Sequence, residues 1–179
     1  MIRKKIYHLL GQLPDEELEH VYWSIESIYQ EYRHKKNLLN KGVVISEIIE
    51  DANVLIDKWD KSFANSISEK EREEIHYDDF KWHIFSYEKQ SCLLEEEARK
   101  AFTAMTKDEV YVMYEGAPFI FLYSNSSKLV AEDFDTQDDI YIFDKNFTWT
   151  YVRTHESLCG PYFYRVNEMT DEKTQGDKP

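Results

Sequence analysis

Apolar residues recur at helical spacing from the first positions of the chain. Ile2, Ile6, Leu9, Leu10 and Leu13 form one short stripe. A clearer one follows in LPDEELEHVYWSIESIYQEY, where Leu18, Val21, Tyr22, Ile25, Ile28, Tyr29 and Tyr32 fall on one face. Pro14 suits a first helical turn, and Asp15, Glu16 and Glu17 complement the positive end of the helix dipole. His34, Lys35 and Lys36 are placed to close that helix. The spacing therefore predicts a helical hairpin over residues 1–40, turning between Gly11 and Pro14. Its apolar face has to be covered, by its own domain or by another chain.

NKGVV reads as a break. From Ser46 a further helical pattern runs through Ile48, Ile49, Ala52, Leu55, Ile56, Trp59 and Phe63. Ser68 with Glu71 three residues on is a capping-box signature for a short helix over EKEREEI. From residue 80 the period changes. FKWHIFSYE alternates as a strand, which sets Trp82 and Ile84 on one face and His83, Phe85 and Tyr87 on the other. LLEEEARKAFTAM returns to helix. VYVMY, PFIFLY, IYIFD, TWTYVR and PYFYRV then read as strands, with connections mostly too short for crossover helices. The expected class is α+β: the N-terminal helical hairpin and helices, then a mostly antiparallel sheet with one or two packed helices. Residues 41–166 form the α+β domain, and the polar stretch 167–179 reads as a disordered tail.

Composition narrows the function. The chain has 179 residues and a formal net charge of −13, with 13 Tyr, 10 Phe and 4 Trp to fill a core. Such a field repels phosphate backbones and anionic membranes, so nucleic-acid and membrane binding are not expected. A basic protein partner is, because opposite fields steer association. Cys92 and Cys159 are too few for a disulfide scaffold, and no metal-ligand spacing is present. The basic start MIRKKIY leads into no long apolar run and no cleavage site. The expected setting is cytoplasmic and reduced, with no cofactor and no metal.

Five glycines are spread so widely that neither a phosphate-binding loop nor a dinucleotide turn can form. G-x-S-x-G and H-E-x-x-H are absent. The enzyme-like residues are His83, His155, Glu156 and Cys159, which could serve a hydrolase or a metal-dependent enzyme if at least three converged in one cleft. Against that, neighbouring strand residues point to opposite faces, and a free cysteine is usually packing. The stretch WTYVRTHESLCGPYF accordingly reads as strand, turn and strand. EDFDTQDD lacks the glycine and distal Glu of an EF-hand loop. Its Asp133, Asp135, Asp138 and Asp139 read instead as carboxylates that steer a basic partner. Trp149 and Tyr151 are the expected aromatic anchors.

The phrases FKWHIFSYEKQSCLLEEEARKAF, VYVMYEGAPFIF, DIYIFDKNFTWTYVRTHE and GPYF, between about residues 57 and 164, carry a resemblance. They resemble a family of uncharacterised domains found mainly in spore-forming Gram-positive bacteria, which implies no catalytic residue. LGQLPDEELEHVYWSIESIY is similar to helical hairpins that precede or dimerise small bacterial regulatory proteins. Small acidic, aromatic-rich α+β domains are often immunity proteins, an analogy of fold and composition. The leading expectation is a non-enzymatic module, immunity- or antitoxin-like, that binds a basic protein. A hydrolase or metal-dependent enzyme is the second reading, and a regulatory or structural homodimer through the hairpin the third.

Overall fold

The computed structural model describes residues 1–166. The expected tail, 167–179, lies outside the described residues. The chain divides into a helical unit, Met1–Asn37, and a larger unit that begins at Leu38.

In the helical unit α1 spans Ile2–Leu10 and α2 begins at Asp15. Between them Gly11, Gln12 and Leu13 donate back to Tyr7, Leu9 and Leu10, closing the turn the sequence places there. No residue of α1 is buried. α2 does not end at Lys36 but continues to Asn40. Its stop is chemical: Gly42, at φ +87°, takes the left-handed conformation that lets Val43 N–H reach back to the Leu38 carbonyl.

The larger unit is α+β. Its seven-stranded antiparallel sheet has the order β1-β4-β3-β5-β6-β7-β2. The strands are β1 Val44–Ile48, β2 Leu93–Leu94, β3 Glu109–Tyr114, β4 Ile120–Ser124, β5 Ile140–Asp144, β6 Trp149–Arg153 and β7 Tyr162–Arg165. The helices are α3 Ala52–Phe63, α4 Glu69–Glu74, α5 His83–Ser86 and α6 Glu95–Ala104. Two short 3-10 turns lie at Ser126–Lys128 and Ala131–Phe134.

Both faces of the sheet are covered, so the central strands are apolar on both sides. On β5, Tyr141 and Phe143 enter one core with Trp59 and Phe63 of α3, while Ile140 and Ile142 enter the other with Phe102 of α6. Trp59 meets Tyr141 edge-on at 5.2 Å and donates from Nε1 to Thr150 Oγ1 at 3.1 Å. Phe102 stacks on Tyr151 at 4.5 Å. Buried Lys107 ends α6, its Nζ donating to the carbonyls of Phe102, Thr103 and Met105 at 2.6, 3.2 and 2.9 Å.

Two elements differ from the sequence pattern. Val44–Ile48, expected to begin a helix at Ser46, is an edge strand paired with β4. Val44, Ile45 and Ile48 are β-branched and fit a pleat, and the helix begins only at Ala52. FKWHIFSYE is not a strand. It folds as turns and the single-turn helix α5, with Phe85 donating to Trp82 and Tyr87 to His83. One turn is too short to display a 3.6-residue period, and the chance spacing of Trp82 and Ile84 imitates a period of two.

Candidate functional site

The aromatic stretch before α5 docks on the ends of β3 and β5, and there the polar side chains gather. Glu115, just past β3, accepts the Lys81 N–H at 3.0 Å and the hydroxyl of Tyr141. Tyr141 is fully buried on β5 and in turn accepts the Trp82 N–H at 3.0 Å. Burial and the neighbouring Glu115 push the Tyr141 phenol well above its ordinary range, so it stays a donor. Beside this, Lys81 Nζ sits 3.0 and 3.1 Å from the two oxygens of Asp60, which also accepts from Tyr77 at 2.8 Å.

Asp139 is the second centre. It precedes β5 with φ +48°, a left-handed conformation that Asp tolerates better than most residues. Its carboxylate accepts Trp82 Nε1–H at 3.0 Å and the His155 N–H at 3.2 Å, and lies 2.8 Å from His155 Nδ1. The rings of Phe80, Trp82, His83 and His155 lie against one another, Trp82 to His83 at 4.4 Å and Trp82 to His155 at 5.9 Å. His155 is held by its loop. β6 stops at Arg153, and Thr154 Oγ1 donates to the carbonyls of Glu156 and Cys159. Gly160 has φ +87°, and a Cβ there would lie 3.1 Å from the Tyr162 ring. The Gly160–Pro161 peptide is cis.

An Asp–His pair is two parts of a catalytic triad. Cys159 Sγ donates to Glu156 Oε2 at 3.2 Å. Among the described residues no hydrogen bond joins either histidine to a thiol. Burial, then Glu156, pushes the Cys159 thiol up, and burial pushes Cys92 up to about 12. Neither is poised as a thiolate. The hydrogen bond to Asp139 raises the His155 pKa. His83 Nδ1 is spent on the His76 carbonyl at 3.0 Å. Thus His83 and His155 flank Trp82 while Glu156 and Cys159 pair with each other. Among the described residues no group of three or more His, Cys, Asp or Glu is placed to hold a metal ion.

The residues expected to meet a partner are placed differently from one another. Trp149 and Tyr151 are 2% and 0% exposed and belong to the core around Phe102, so they cannot anchor a partner. Both faces of β6 are covered, which the alternation of TWTYVR does not reveal. Asp133 is buried, 2.6 Å from Lys41, and accepts the Val130 N–H at 2.9 Å. Asp135 pairs with Arg99 at 2.5 Å, and Asp138 with Arg153 at 2.7 Å. Asp138 keeps an exposed side chain, whereas Asp139 is the clamp on Trp82 and His155.

Residues 33–163 match a domain of unknown function, DUF4275. The chain belongs to that family. The DUF4275 match begins inside α2, earlier than the resemblance from about residue 57, and takes in β1 as well as the rest of the sheet down to Phe163 of β7. No curated protein and no solved structure matches the chain. Lys81, Glu115 and Tyr141 are members of the DUF4275 domain's polar cluster that sequence reasoning missed. Glu115 reads as a turn residue and Tyr141 as an apolar strand position, and nothing in their spacing links them to Trp82.

Proposed function

We propose that the chain is a non-enzymatic binding module whose α+β unit engages a basic protein. The observation that carries this reading is where the charge sits. Residues 1–37 hold six acidic and six basic side chains, whereas residues 38–166 hold 25 acidic and 14 basic. The whole surplus of the described residues therefore belongs to the α+β unit, and such a field speeds encounter with a cationic surface.

The rim around the Trp82 cluster is the docking face. Leu158 is 95% exposed on the loop that carries His155 and Glu156, and Tyr87 is 51% exposed with its ring 5.4 Å from His83. Exposed apolar and aromatic side chains with exposed acids close by in the chain, Glu88 beside Tyr87 and Glu156 near Leu158, suit a hot spot with an acidic rim. The finer reading is an immunity- or antitoxin-like role in a bacterial cytoplasm, in which the module covers a basic site on a toxin. Among the described residues no helix is long and apolar enough to cross a membrane.

The test is capture from extracts of the source cells with the wild-type chain and an Asp138→Lys/Glu156→Lys variant side by side. A basic protein held by the wild type, released by high salt and not held by the variant supports the reading. Retention that neither salt nor charge reversal changes, or no basic protein at all, sinks it.

A further inference from the structure

The exposed stripe of α2 has the pattern of a self-complementary seam. Leu18, Ile25 and Tyr32 are seven residues apart, as are Val21 and Ile28, so they form the two apolar positions of a heptad. The stripe's later part is uncovered: Ile25, Ile28 and Tyr32 are 50%, 67% and 56% exposed, while Leu18 and Val21 are half-buried. We infer that α2 pairs antiparallel with α2 of a second copy of this chain.

The choice of occupant rests on charge. The N-terminal turn of α2 carries Asp15, Glu16 and Glu17, and its later turns carry Arg33, Lys35 and Lys36. When Ile25 faces Ile28 of the second copy, the heptad sets Val21 opposite Tyr32 and Leu18 opposite the stem of Lys35. That same register places Asp15, Glu16 and Glu17 alongside Lys35 and Lys36 of the second copy. It also opposes the two helix dipoles. A parallel pair would instead stack acid on acid and base on base. Residues 1–37 are balanced in charge, so two copies meet there without the repulsion that the α+β unit carries. A basic partner, which that unit attracts, gains nothing from this neutral surface. The seam is separate from the docking face around Trp82, and its failure leaves that reading untouched.

Sedimentation equilibrium on the full chain tests the seam. The wild type is expected at twice its 21.5 kDa mass near about 100 μM chain. Ile25→Asp and Ile28→Asp are expected to sediment as monomers with the near-ultraviolet signal of the core tryptophans unchanged. Orientation is read from charge: Glu16→Lys/Glu17→Lys weakens association about tenfold or more, and adding Lys35→Glu/Lys36→Glu to the same chain restores it. A monomeric wild type at that concentration, a dimer indifferent to Ile28→Asp, or a charge reversal that its complement does not rescue overturns the proposal.

Discussion

Asp139 shows how much one carboxylate organises in this protein, since three donors from Trp82 and His155 converge on it. Its bond to Nδ1 raises the His155 pKa, with Glu156 and Asp138 adding to the effect. The folded state then holds the imidazolium proton more tightly than the unfolded state, whose value is near 6.5. That stabilisation is complete below the unfolded value and fades as pH rises through the folded one. Nuclear magnetic resonance titration is expected to show Asp139→Asn moving His155 down and flattening this pH dependence; an unmoved titration contradicts the clamp. Both thiols are held toward their protonated forms, so alkylation near neutral pH is expected to be no faster than for a free cysteine. A rapidly reacting thiol would restore the enzymatic reading. Lys107→Ala strands the carbonyls at the end of α6 and is expected to cost about 2–4 kcal/mol by urea denaturation.

Elements differ in how plainly the sequence announces them. α4 begins where Ser68 and Glu71 say it must, and both halves of the capping box are formed. Ser68→Ala is expected to lower stability by about 1 kcal/mol. The strands β3 to β7 lie where their apolar and aromatic runs place them, each paired antiparallel with its neighbours. β1 was hidden because Ile48, Ile49 and Ala52 continue the phase of α3 across a break in structure. α5 was hidden because a single turn carries no period. The candidate site fared worse than the fold. His155 and Asp139 were visible as residue types, but their contact depends on where β5 and β6 end, which local spacing does not encode. Trp149 and Tyr151 look like surface aromatics only when the helix α6 that covers them is left out of view.

Across the whole molecule, the charge is segregated between the two units. The helical unit is electrically balanced and exposes a heptad stripe, while the α+β unit concentrates its carboxylates around a sheet buried on both faces. Four of those carboxylates, Glu132, Asp133, Asp135 and Asp138, are tied to Lys41, Arg99 and Arg153. We propose that this field selects a basic protein. Its most direct test is the association rate of the captured partner, measured as ionic strength is raised from about 50 mM to about 500 mM. A fall of about tenfold or more is expected, with the dissociation rate changing far less. An association rate that stays level across that range would contradict it.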